Sequence, residues 1–482
     1  MSRQSLYILW DESHIWGLMA WRAALGLGVP FRMVRAKEIA DGLLQKEPCA
    51  VLLVPGGTAR HKARALGPRG LQNIRSYVDG GGHYLGFCGG AGLGLTLSSK
   101  DARKGENAIS ATAQDDEKSS AESLNLCPWA RASFEDRMQH FMSGHLEASL
   151  TDKANLPEFA HRLLPDTDIK EDPVCSSYGS TLRTGETLPK TPENGDVLTL
   201  ECGFGIPLIP VWWPGRFMPG SGDVAVLARY SSPGPDFWLA DLPIALLPKD
   251  AFSSWRELYG INFSPAFLEG QPCVIHGKYG SGTYTLSYSH LETPNSPFAN
   301  NWLAHILKTL GNIEVTSSLV PQWKPKHDAA AKPEHLPGLE KCIEDISRII
   351  NTGIEHGLFF KRNDWLFGWR AGMPGSAINS LNSVLLSCAA LEAGEECRRL
   401  WLEKQAEICA KSEQFSAEVI NYLLAERLAM TLSKTAPEAI SPGALKARKQ
   451  SLFGPPMKPV GLYADLIGFF EELLFLQFSA KQ

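Results

Sequence analysis

The chain has ten cysteines, yet no two form a Cys-x-x-Cys pair. That excludes a zinc ribbon and a thioredoxin-type redox motif, and no metal or cofactor is called for. Long hydrophobic runs are also missing. The best candidate, LIGFFEELLFLQF at 466–478, is broken by Glu471 and Glu472, so nothing offers the roughly 18–20 apolar residues that span a bilayer. The opening MSRQSLYILWDESH meets Asp11 and Glu12 before the apolar core of a signal peptide can form. These absences set the expectation of a cytoplasmic protein without membrane contact. Positive charge is not in excess either. A formal net charge of -5 provides no broad basic field, so nucleic acid is not an expected partner. No internal repeat is present.

What is present is a soluble globular composition, 44% hydrophobic and 21% charged over 482 residues, too long for one core. The first hundred residues alternate between strand and helix patterns. Strands are expected at 6–10, 29–34, 50–54 and 83–87, and helices at 14–27, 36–45 and 70–79. Fully apolar strands alternating with helices predict a parallel sheet covered on both faces. Sites in such sheets lie beyond the carboxyl ends of the strands, where Pro55-Gly56-Gly57 and Cys88 fall.

From 98 to 123 the chain is polar and almost free of large apolar residues, the composition of a flexible insertion. A β-rich pattern follows, with strands expected at 197–200, 206–213, 224–230, 273–276 and 283–289. Residues 321–334 read as a Pro/Lys-rich linker. From 335 to 482 the pattern is helical, with apolar residues such as Ile343, Ile346 and Ile350 at three- and four-residue steps.

Cys88 sits in HYLGFCGGAGLGL, within Gly86-Phe-Cys-Gly-Gly90. A nucleophile on a sharp strand-to-helix turn needs small neighbours, and the helix N-terminus behind it favours a thiolate. Taken alone, such a joint also suits phosphate binding or simple packing. Two other features tip the balance. Backbone N–H groups of Gly56 and Gly57 are expected to form an oxyanion hole with that of Gly89. Ser289-His290-Leu-Glu292 ends a strand and supplies a base, His290, with Glu292 to orient it. Gly144-His145-Leu-Glu147 repeats the spelling but lies before most of the later strands, so His290 is preferred.

On these three motifs, residues 6–100 with about 200–312 resemble a class I glutamine amidotransferase-like domain of the biotin-protein ligase N-terminal kind. The resemblance implies a flavodoxin-like sheet with Cys88 as nucleophile, His290 as base and Glu292 as its orienting acid. Three departures accompany it. His290 lies 202 residues after Cys88, which requires large insertions, and Leu291 stands where glutamine-hydrolysing members carry proline. No Gly-Arg-Gly-Arg adenylate loop and no P-loop occur, so the chain does not read as a biotin ligase.

Trp212 and Trp213 head an aromatic turn that reads either as substrate-pocket lining or as a cap on a sheet edge. Glu12 ends the first strand on the same rim, where related cysteine-peptidase-like folds place an acid against the nucleophile. The expected architecture is an α/β amidotransferase-like domain over 1–320 with β-rich insertions, followed by an α-helical domain over 335–482. Two functions remain open. One is a thiol-dependent hydrolase or amidotransferase acting on a small amide or related carbonyl; the other is a non-catalytic small-molecule-binding or regulatory module that keeps the elbow.

Overall fold

Four short apolar runs form the centre of one large sheet. The computed structural model describes residues 5–96, 122–132, 142–165, 207–330, 336–369, 375–454 and 460–479. The runs become β1 (Leu6–Leu9), β2 (Phe31–Val34), β3 (Val51–Val54) and β4 (His83–Phe87). Along the chain follow β5 (Ala130–Arg131), β6 (Met142–Leu150), β7 (Leu208–Trp212), β8 (Phe217–Met218) and β9 (Val224–Pro233). The series then runs through β10 (Trp238–Leu239), β11 (Leu242–Pro243), β12 (Pro272–Tyr279) and β13 (Gly282–Ser287).

Strands β2, β1, β3, β4 and β13 are adjacent in that order and all parallel. With β13 as the fifth strand, this is the flavodoxin-like order, in which ligands bind at the carboxyl rim. Strands β1 and β3 are buried throughout, as a sheet covered on both faces requires. Tyr7, Leu9, Leu52, Val54 and Tyr84 share one cluster with Leu66, Leu71, Ile74 and Val78. On the opposite face, Gly311 of the helix Pro297–Gly311 lies so close to Val51 that an added Cβ would be 2.9 Å from its side chain. Each fully buried side chain of this kind contributes roughly 1.5–3 kcal/mol.

Beyond β13 the same sheet continues antiparallel through β12, β9 and β6 to β10 and β11, with β7 paired to β6. The β-rich stretch expected as insertions thus enlarges the main sheet, apart from the small β5–β8 ribbon. Strand β6 alternates buried and partly exposed residues, the pattern of a sheet with one wetter face. All but the last two residues of the expected insertion at 98–123, and the strand expected at 197–200, lie outside the described residues.

Helices α1 (Ile15–Gly26), α2 (Ala36–Ala40), α3 (Leu43–Lys46), α4 (Ala59–Asp79) and α5 (Gly89–Gly94) connect the parallel strands. Two differ from the expected spans. The helix expected at 36–45 is broken at Asp41-Gly42, where Gly42 has φ 92°. The helix expected at 70–79 begins at Ala59, with Gly67 at φ 62° just before Pro68. Pro68 bars the helical conformation to its predecessor and has no N–H, so an apolar-spacing reading finds only the second half.

The chain divides into compact units 1–321 and 322–482. The second contains helices Pro325–Ala330, Leu339–Glu355, Gly375–Ala390, Glu395–Thr435, Pro442–Phe453 and Leu462–Ser479, with a hairpin of β14 (Phe359–Lys361) and β15 (Phe367–Trp369). The stretch read as a linker is partly structured: Trp323 is buried and stacks on Trp365 at 6.1 Å. Its proline- and lysine-rich neighbours hide that anchor from a compositional reading. Among the described residues, no helix is long and apolar enough to cross a membrane.

Candidate active site

Cys88 joins β4 to α5 with φ 48° and ψ -103°, a conformation that costs a non-glycine residue about 1–3 kcal/mol. The surrounding bonds hold it there. Its N–H donates to Ser287 O at 2.8 Å, and its carbonyl accepts from Gly92 N at 2.9 Å. Close approach explains two of its glycines. A Cβ on Gly89 would fall 1.9 Å from Gly57 O, and one on Gly90 would fall 1.9 Å from Val54 O. The residue as a whole is half-buried.

His290 and Glu292 are both fully buried, and His290 Nδ1 lies 2.7 Å from Glu292 Oε1. That contact makes Nδ1 the donor and directs Nε2 to other business. Desolvation alone would lower the imidazole pKa, but the Glu292 charge and the Cys88 sulfur raise it to about 10. Burial likewise pushes the Cys88 thiol up, and His290 outweighs it, with help from Arg131, so that the pKa falls below its ordinary value. Both shifts act in favour of the charged forms, thiolate and imidazolium. Nε2 feels this sulfur without making an aligned hydrogen bond to any described group, and Glu292 Oε2 is also unbonded.

The expected oxyanion residues come together, since Gly57 O lies against Gly89 Cα. Neither the Gly57 nor the Gly89 N–H donates among the loop and turn hydrogen bonds of the described residues. Gly56 backs the His290 ring instead: a Cβ there would be 2.9 Å from His290 Cε1. Glu12 reaches the rim at φ 56°, but its carboxylate faces His61 Nδ1 at 3.5 Å and His14 Nε2 at 4.0 Å rather than Cys88. The His61 hydrogen bond outweighs burial and keeps the Glu12 pKa below its ordinary value.

The two tryptophans separate. Trp212 is buried and donates from Nε1 to Thr293 Oγ1 at 3.2 Å, holding the segment that follows His290. Trp213, at φ 63°, meets Trp16 edge-on at 5.8 Å. Trp16 in turn lies 4.5 Å from the His290 ring, tilted by 36°. Sequence reading missed Trp16 and Arg131. Trp16 has the apolar spacing of an ordinary core residue, and Arg131 sits on a two-residue strand too short to recognise. Among the described residues, no group of three His, Cys, Asp or Glu side chains is placed to hold a metal ion.

Solved structures similar to this chain include one described as a glutamine amidotransferase, 14% identical with a TM-score of 0.33, over 64% of this chain and 99% of that one. A chain of PurLQS from Thermotoga maritima is 11% identical with a TM-score of 0.32, over 64% of this chain and 99% of that one. No curated protein matches in sequence. Residues 32–100, from β2 through the elbow, match the family model described as "Biotin-protein ligase, N terminal". The part of the flavodoxin-like sheet from β2 through the Cys88 turn is thus the part of the chain that is similar to the biotin-protein ligase N-terminal family.

Proposed function

We propose that the first unit is a cysteine-dependent hydrolase or amidotransferase acting on a small molecule with an amide or related carbonyl. The observation that carries this reading is the geometry at the end of β4: Cys88 on a strained strand-to-helix turn, beside a fully buried His290 whose Nδ1 lies 2.7 Å from Glu292 Oε1. In the first step the Cys88 Sγ lone pair forms a bond to the carbonyl carbon. The oxygen takes the displaced electron pair, stabilised by the N–H groups of Gly57 and Gly89. Collapse breaks the carbon–nitrogen bond as His290 Nε2 gives its proton to the leaving amine. Water, deprotonated by the now neutral His290, then attacks the thioester, releases the acid and returns Cys88 to its starting state.

A second reading, a binding or regulatory module that keeps the elbow without turnover, is favoured by Leu291 at the position between base and acid. Biotin ligation is not proposed.

The pH dependence of Cys88 alkylation by iodoacetamide separates the two readings. An activated thiolate reacts with a midpoint below the ordinary value of about 8.5. The His290→Ala variant, left with burial as the main influence, shifts that midpoint upward. Ordinary thiol reactivity in both proteins would sink the catalytic reading.

A further inference from the structure

His145, set aside in the sequence as a second His-Leu-Glu spelling, does not pair with Glu147. Its Nδ1 lies 2.8 Å from Asp236 Oδ2 and its Nε2 lies 2.9 Å from Ser296 Oγ. Asp236 Oδ1 also accepts from the His145 backbone N–H at 3.0 Å. Serine, imidazole and carboxylate at these separations meet the distance test for a nucleophile row. The order of burial argues against that use. Asp236 and His145 side chains are 21% and 17% exposed, while Ser296 is 2% exposed. A hydrolytic row buries its acid and offers its hydroxyl, and here the hydroxyl is the innermost member.

Ser296 also precedes the helix Pro297–Gly311 without capping it by its side chain. It uses its hydroxyl on His145 instead, and the residue closes the segment that carries His290 and Glu292. Asn300, fully buried, holds that segment from the other side. Its Nδ2 donates to Leu291 O and Thr293 O, both at 2.9 Å. Its Oδ1 accepts from Ser296 N at 3.3 Å and Val320 N at 3.1 Å.

We propose that His145 and Asn300 are positioning residues for His290, tying the 291–296 segment to β6 and to the following helix so that the imidazole stays over Cys88. The proposal rests on reading His290 as the base, but it can be tested apart from any chemistry at Cys88. His290 Nδ1–H, bonded to Glu292, gives a downfield proton resonance assignable by its loss in His290→Ala. In the full-length chain, His145→Ala and Asn300→Ser should speed solvent exchange of that proton about tenfold, the effect of losing one buried hydrogen bond. His145→Gln, whose amide reaches the Nε2 position, should largely restore slow exchange at unchanged far-ultraviolet circular dichroism.

An unchanged His290 resonance in His145→Ala and Asn300→Ser would overturn the proposal, as would equal defects in His145→Ala and His145→Gln. Covalent labelling of Ser296 by a small fluorophosphonate would overturn it in favour of a nucleophile row. If wild-type Cys88 alkylates like an ordinary thiol while the exchange pattern is as expected, the positioning role stands and the hydrolase reading falls.

Discussion

Burial raises the pKa of any thiol and lowers that of any imidazole, so Cys88 and His290 would each be neutral if left alone in their pocket. Glu292 reverses this: as the largest raising influence on His290, it makes the imidazolium that holds the thiol down. Replacing Glu292 by Gln should therefore raise the Cys88 midpoint, and each unit of rise above pH 7 cuts the thiolate fraction at pH 7 about tenfold and slows alkylation by roughly threefold, since the more basic thiolate is the better nucleophile, as rate measurements would show. The same pair predicts a pH-dependent stability. The folded-state pKa of His290 is raised from 6.5 to about 10, so its contribution is complete below the ordinary value and is lost as pH rises through about 10. Cys88, with a lowered pKa, contributes in the opposite sense, above its ordinary value. Wild type should melt above Glu292→Gln by a margin that is largest near pH 6 and shrinks toward pH 10. A margin that stays constant in thermal scans across that range would contradict the assignment.

The elbow is an element in which backbone closeness, more than glycine flexibility, dictates composition. The clash between a Gly89 Cβ and Gly57 O is with main chain that cannot step aside. Gly89→Ala should lose about 2–4 kcal/mol of stability together with thiol activation, read by denaturant unfolding and alkylation. Gly92 is the contrast, because a Cβ there meets only Ala59 Cβ at an ordinary 3.5 Å. Gly92→Ala should be neutral or stabilising by about 0.5–1 kcal/mol. Comparable losses in both variants would show that packing at the elbow is not what selects glycine. Strain gathers on the same rim: Glu12, His14, Cys88 and Trp213 all have positive φ, as expected where site geometry overrides local preference.

Across the molecule, the two units have separate cores, and Gln322–Gln482 buries its own aliphatic and aromatic residues, including Trp401, Phe415 and Phe470. Expressed alone, that unit should be helical by circular dichroism and unfold cooperatively; a non-cooperative melt would mean that its core is incomplete without the first. The parallel strands were legible in the sequence because strands buried on both faces must be apolar along their whole length, as in Val51–Val54. The position of Cys88 was legible because a residue on a strained strand-to-helix turn needs glycines around it, and the His290–Glu292 contact because the two lie two residues apart. Residues that act across long separations left no such local mark. Trp16 against His290, Arg131 near the sulfur, and the Asp236–His145–Ser296 row join positions as far apart as 16 and 290, and nothing in the spelling of one segment records what packs on it. Local sequence determined the strands and the elbow because backbone sterics and burial act within a few residues. Only the tertiary structure decided what surrounds the thiol, because charge and hydrogen bonding act through space.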